Sequence, residues 1–307
     1  MEALFIGQTY IDVTFLADHM PQGDEKSVAS EYAVSFGGNA VTAAFCCAKL
    51  GVKPDLIATL ADDWLGNMFL DMAKKYDINL HTRSVEKSSL SFIMPNNGKR
   101  AIVRCRDDHY LTPFPVLDLD GCRALHLDGH QPDAALAYAQ RCRKAGILTS
   151  LDGGGIRTNT HELLTFIDVA MVAERFCQQM DKTPRAMLDY LKSRGCKIGG
   201  VTQGERGVLW YDESGQVHNL AALGVPQARV RDTSGAGDVF HGAYVYSYLT
   251  DPKKKWEDHF AFAQRAATFK LQHLGNEAGL PTLDDIRNLP FAPPTPAASR
   301  PRIVSSH

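Results

Sequence analysis

Apolar positions along the chain recur with two different periods, and the switch between them marks out the elements. Leu4 to Gly7 is an unbroken apolar run and reads as a buried strand. Tyr10 to Phe15 and Val28 to Phe36 alternate apolar with polar residues and read as further strands, with no helix between them. From Val41 the period lengthens: Val41, Ala44, Phe45 and Ala48 share one helical face, Lys49 falls in the last turn, and Gly51 supplies a left-handed stop.

The next elements are a strand (Leu56 to Leu60), a helix (Gly66 to Lys75) and a hairpin of Leu90 to Met94 with Ala101 to Cys105, turning at Asn96-Asn97-Gly98. From Ala124 strands and helices alternate: Ala124 to Leu127, Asp133 to Lys144, Leu148 to Leu151, Val169 to Val172, Pro184 to Ser193 and Ile198 to Thr202. Such units imply a parallel sheet covered by helices on both faces, joined by right-handed crossovers. A second hairpin, Val208 to Tyr211 with Gln216 to Leu220, precedes a Gly-rich run, and two helices follow at roughly Val239 to Leu249 and Trp256 to Leu274. Residues 291–307 are rich in Pro, Ala and Ser and read as a poorly packed tail, which leaves 1–290 as one domain.

Composition narrows the function. A net charge of -2 gives no broad positive field, which argues against nucleic acid and anionic membranes as partners. No apolar stretch is long enough to span a bilayer, and Met1 to Gly7 carries no basic leader; the expected location is cytoplasmic. The seven cysteines include no Cys-x-x-Cys pair and read as reduced, packed thiols.

The candidate chemistry lies in Arg231 to Phe240. The small residues Gly235, Ala236 and Gly237 are expected between a strand and a helix, where unpaired N–H groups and the helix dipole favour an anion. Asp238, in the first turn, would reach the same point and could take a proton from an alcohol. Taken alone, the same residues also read as a capping aspartate after a Gly turn.

The whole string from Asp232 to Ala243, Asp-Thr-Ser-Gly-Ala-Gly-Asp-Val-Phe-His-Gly-Ala, resembles the C-terminal signature of the ribokinase-like carbohydrate kinases, the PfkB family. The order of Gly37-Gly38-Asn39-Ala40, Leu50-Gly51 and Asp62-Asp63-Trp64-Leu65-Gly66 is similar to the N-terminal side of that family, so the resemblance covers Leu4 to Leu289. It implies an α/β fold: a three-layer domain with a central, mostly parallel sheet, plus a small β-sheet lid formed by about 9–36 and 88–106. It implies ATP-dependent phosphorylation of a sugar hydroxyl, with Asp238 as base and Gly235, Ala236 and Gly237 as the anion hole. Asp12, Gly37, Gly38 and Asn39 match sugar-gripping positions, and Thr202, Gly204 and Gly207 match the nucleotide-side turn. ATP and Mg²⁺ are the implied cofactors, with a monovalent cation near Asp232, and a homodimer paired through the lid is the implied assembly.

Two departures bear on the substrate. Thr42 stands where most members carry Asn, a feature shared with the sulfofructose kinase branch, as are Thr202-Gln203-Gly204 and Gly237 to Gly242. Lys26 appears where that branch has a lid lysine, while Arg104 and His130 replace other residue types; Lys26 and Arg104 together suit an anionic sugar. The family's Asn-x-x-Glu motif is missing from Ala170 to Phe176, which leaves no metal ligand assigned and Glu174 as a substitute or a helix-start carboxylate. The alternatives are a nucleoside kinase of the same family and an idle sugar or nucleotide sensor. A Rossmann oxidoreductase is excluded because Gly7-Gln8-Thr9-Tyr10 lacks the Gly-x-Gly-x-x-Gly opening.

Overall fold

The computed structural model describes residues 1–96 and 99–289. Its strands and helices run β1 (Ala3–Gly7), β2 (Tyr10–Leu16), β3 (Glu31–Gly37), α1 (Asn39–Leu50), β4 (Asp55–Leu60), α2 (Trp64–Lys75), β5 (Asn79–Ser84), β6 (Leu90–Asn96), β7 (Lys99–Cys105) and β8 (Ala124–Leu127). They continue α3 (Pro132–Ala145), β9 (Leu148–Gly153), α4 (Thr160–Leu163), β10 (Val169–Ala173), α5 (Glu174–Gln179), α6 (Pro184–Ser193) and β11 (Ile198–Thr202). Last come β12 (Val208–Tyr211), β13 (Val217–Leu220), α7 (Ala236–Thr250), α8 (Trp256–Lys270) and α9 (Leu283–Asn288).

Nine strands form one sheet in the order β13-β12-β11-β10-β9-β8-β1-β4-β5, parallel from β11 to β5, with the hairpin β12-β13 antiparallel at one edge. Strand alternation divides its side chains between two cores: Ala3 and Phe5 pack with α1, α7 and α8, whereas Leu4 and Ile6 pack with α3 and α6. Both faces are therefore apolar, which is why β1 is an almost continuous hydrophobic run and β8 is interrupted only by the buried His126.

Four strands, in the order β3-β2-β6-β7, form a separate small sheet. Its register sets Ser35, Asp12, Ser91 and Arg104 side by side on one face and Val34, Val13, Phe92 and Val103 on the other.

The structure differs from the sequence reading in several places. β3 starts at Glu31, not Val28, because residues 21–30 form a loop. α2 starts two residues earlier, where the Asp63 carboxylate accepts the Gly66 N–H at 2.8 Å and caps it. The strand β5 escaped notice, since Asn-Leu-His-Thr-Arg-Ser at a sheet edge has no apolar pattern. α8 ends at Lys270, and α7 begins inside the Gly-rich run, at Ala236. No strand leads directly into that run: β13 ends at Leu220, and the intervening segment holds only a short 3-10 turn at Gln227–Arg229. Of the turn expected at Asn96-Asn97-Gly98, Asn96 ends β6, while residues 97–98 and the tail at 291–307 lie outside the described residues.

No helix among the described residues is long and apolar enough to cross a membrane. The cysteines are unpaired, and all but Cys105 are buried; burial pushes the Cys142 and Cys196 thiols up to about 12, far from thiolate chemistry.

Candidate active site

Asp238 occupies the first turn of α7, whose N-cap, Gly235, is left-handed with φ 74°. A Cβ there would meet Asn276 Oδ1 at 2.2 Å, so both conformation and space require glycine. At Gly237 nothing stands within 4 Å of where a Cβ would project, leaving the backbone open to an approaching group. The amides of residues 235–237 thus sit at the positive end of a fifteen-residue helix with a half-buried carboxylate beside them.

Desolvation, and next the neighbouring Asp152 carboxylate, push the Asp238 carboxyl up to about 8, against the opposing pull of Arg100 and Arg104. Asp152, next to the last residue of β9, accepts a 3.1 Å hydrogen bond from Asn39 Nδ2 and lies 3.3 Å from His241 Nδ1. That His241 nitrogen lies 2.7 Å from the Gly237 carbonyl oxygen, one turn back along α7, so the helix start and the end of β9 are coupled. Sequence reading singled out neither Asp152 nor His241.

The small sheet contributes the facing wall. Asp12 is 5% exposed, and burial raises its pKa against the Ser91 hydroxyl, Arg104 and Asn276. Its Oδ2 accepts from Asn276 Nδ2 at 3.1 Å, while its Oδ1 has no hydrogen-bond partner among the described residues. Asn276 also donates to the Phe36 carbonyl at 2.8 Å and, through its backbone N–H, to Ser35 Oγ at 3.2 Å. Asn276 therefore ties the small sheet to the loop behind the Gly-rich run.

Gly37 lets this happen: a Cβ on it would fall 2.3 Å from the Asp12 carboxylate. Gly38, with φ 101°, caps α1, and a Cβ there would strike the Gln8 carbonyl at 2.0 Å. Thr42 Oγ1, on α1, is another buried polar atom without a hydrogen-bond partner among the described residues. An unsatisfied buried polar group costs about 1–3 kcal/mol, so the unpartnered Asp12 Oδ1 leaves this wall able to accept a hydrogen bond from a polar ligand.

Of the two expected cations, Arg104 lies on the Asp12 face of β7, its guanidinium 5.0 Å from the Tyr10 ring centre. Lys26 does not lie in a lid strand; it is exposed in the loop between β2 and β3. A cation the sequence reading missed, Arg100, donates from β7 to the Thr233 carbonyl at 3.1 Å, bridging the small sheet to the Gly-rich run. His130 is buried, its Nδ1 3.1 Å from Asp128 Oδ1; although burial opposes it, His130 and then Arg157 hold the Asp128 carboxyl at about 2.

Thr202 ends β11, and Gly204 and Gly207, with φ 57° and 84°, shape the turn into β12. A Cβ at Gly207 would strike the Leu220 carbonyl at 2.0 Å. Glu174 begins α5 and forms an ion pair with Arg206 of this turn. Among the described residues, no group of three or more His, Cys, Asp or Glu side chains stands together as a metal cluster. Asp232 already holds a cation of the protein's own: Lys270 Nζ lies 3.1 Å from its Oδ2.

The chain matches the pfkB family of carbohydrate kinases over residues 2–283. It is 23% identical over 291 residues to a ribokinase of Lactococcus lactis, covering 92% of this chain and 94% of that protein. It is 26% identical over 267 residues to an ATP-dependent ribose-1-phosphate kinase of Halopiger xanaduensis, covering 82% and 86%. The structure of Arabidopsis thaliana ribokinase complexed with ribose and ATP superposes with a TM-score of 0.77 at 22% identity, covering 93% of this chain and 97% of that one. With a family match spanning nearly all the described residues, on a fold that carries the Gly-rich run at a helix start, the chain belongs to the pfkB family of carbohydrate kinases.

Proposed function

We propose that this kinase transfers the γ-phosphoryl group of ATP to a hydroxyl of a sugar bearing an anionic substituent. The observation that carries the reading is the pairing of Asp238 with the open amides of residues 235–237 at the start of α7. Asp238 accepts the hydroxyl proton as the oxygen attacks phosphorus, and the three amides take up the charge on the equatorial oxygens. The leaving ADP departs toward Thr202, Gly204 and Gly207.

Asp12, whose Oδ1 is free of partners, accepts a sugar hydroxyl, with Gly37, Gly38 and Asn39 forming the adjoining wall. Arg104, on the Asp12 face of the small sheet, supplies the charge for an anionic group. The relative named for ribose-1-phosphate phosphorylation supports an acceptor of that class. The small sheet serves as a lid that keeps water from the reacting phosphate. Mg²⁺ arriving with ATP would neutralise charge on the nucleotide's phosphates.

The apolar face of the small sheet, where Val34 packs against the main core but Val13, Phe92 and exposed Val103 continue the row beyond it, supports a homodimer that covers it with a second copy. The deciding experiment is ATP turnover and product mass spectrometry across sugars, sugar phosphates, sulfosugars, sugar acids and nucleosides. A phosphorylated anionic sugar is expected. A phosphorylated nucleoside as the preferred product would replace this reading by the nucleoside one, and ligand binding with no product would make the chain a sensor.

A further inference from the structure

Lys270 is the last residue of α8 and is completely buried, at 0% exposure. Its ammonium has three N–H groups and three acceptors: Asp232 Oδ2 at 3.1 Å, the His273 carbonyl at 3.2 Å and the Asp232 carbonyl at 3.4 Å. The same carboxylate organises the loop on either side. Its Oδ1 accepts the Ser234 N–H at 2.8 Å, and its Oδ2 accepts the Gly275 N–H at 3.1 Å. One ion pair thus braces two segments, the 232–237 loop that presents the anion-binding amides and the 273–276 loop from which Asn276 holds Asp12.

The sequence makes room for this stem. A Cβ on Gly279 would lie 1.9 Å from Lys270 Cδ, and one on Gly235 would lie 3.6 Å from Lys270 Cε. Burial depresses the ammonium's pKa, while Asp232 and, more remotely, Asp238 hold it up.

A dissociable monovalent cation beside Asp232 does not fit this arrangement. It would need the carboxylate and carbonyl oxygens that Lys270 already uses, and it would stand against a fixed positive charge in a dry interior, where repulsion is strong. We infer that Lys270 is a tethered cation that takes over the loop-organising role of a dissociable monovalent ion, making phosphoryl transfer by this chain independent of potassium and sodium. Lys270 touches no reacting atom; it is a positioning residue, acting through Asp232 on the amides of residues 235–237. The inference rests on the kinase reading for its activity arm, so a binding arm independent of turnover accompanies it.

The test uses the full chain in potassium, sodium or tetramethylammonium chloride at one ionic strength. Turnover of the wild-type chain is expected to stay within about twofold across the three salts, and its melting temperature to show no potassium-specific rise. Lys270→Ala, which opens a cavity and removes the charge, is expected to lose roughly a hundredfold in kcat through misplaced amides. Potassium or ethylammonium, but not tetramethylammonium, should restore part of that loss and raise that variant's melting temperature. Potassium activation of the wild-type chain by about tenfold or more, or a potassium-specific rise in its melting temperature, would overturn the inference. So would a Lys270→Ala protein with unchanged kcat. Should that variant fail to fold, the wild-type salt series still decides. Should no substrate turn over in any salt, the kinase reading fails, and the melting series alone judges whether Asp232 accepts an outside cation.

Discussion

Replacing Asp238 by Asn removes the proposed base and, with it, a carboxyl that the fold holds far from its ordinary ionisation. The group's pKa rises from 3.8 to about 8, with desolvation first and Asp152 second as causes. At about 1.4 kcal/mol per unit the shift would amount to roughly 5–6 kcal/mol, a ceiling that assumes no solvent screening. Asp238 is only half-buried, so screening reduces the figure to about 1–3 kcal/mol.

The sign follows from proton counts. Between the unfolded and folded pKa values the folded chain binds the extra proton, so this group's contribution to stability is intact in acid and declines as pH climbs toward about 8. Asparagine mimics the protonated form at every pH. The variant should therefore melt higher than the wild type at alkaline pH, by about 2–5 °C given an unfolding entropy of roughly 2 cal/mol/K per residue. The gap should shrink on acidification to about pH 5.

In parallel, kcat should fall by about 10²–10⁴ with little change in substrate affinity, and wild-type kcat/KM should rise with pH through about 8. Differential scanning fluorimetry at the two pH values, with a coupled ADP assay, makes both measurements. A melting gap that does not vary with pH, or a variant with full turnover, would refute the assignment of Asp238 as a strained base.

Other changes probe the remaining walls. Gly37→Ala puts a methyl 2.3 Å from the Asp12 carboxylate, so it should raise the sugar KM by about tenfold or more, measured by initial rates, with ATP KM little altered. Arg104→Met should weaken an anionic sugar by about 1.5–3 kcal/mol, read by calorimetry, and leave a neutral analogue nearly unaffected. If the small sheet pairs with a second copy as proposed, Phe92→Glu, on its apolar face, should shift the sedimentation profile toward monomer without unfolding the chain, and an unchanged profile would refute that pairing.

Local patterning made much of this legible. α1 was readable because Val41, Ala44, Phe45 and Ala48 repeat at helical spacing, and its Gly51 end because the left-handed cap leaves a residue-specific mark. The helix start at Gly235 to Asp238 was equally readable, since small residues ahead of an apolar helical face have few other uses. Edge strand β5 was not, because a solvated edge needs no apolar rhythm, and the loop at 21–30 was not, because Val28 extended the apparent strand.

The sequence by itself determined which residues could do chemistry: a carboxylate at a helix start, a glycine pair ahead of another helix, an aspartate after the first strand. Only the tertiary structure decided their partners. Asn276 meets Asp12 across 264 residues of chain, Asn39 meets Asp152 across 113, and Lys270 meets Asp232 inside a dry core. Such pairings leave no periodic trace, because a hydrogen bond between distant loops constrains one residue at each end, whereas a helix or strand constrains every second or fourth position along its length. Lys270 illustrates the limit most clearly. In the chain it is one more basic residue in the last turn of a helix, and only its burial against Asp232 makes it half of an ion pair behind the Gly-rich run.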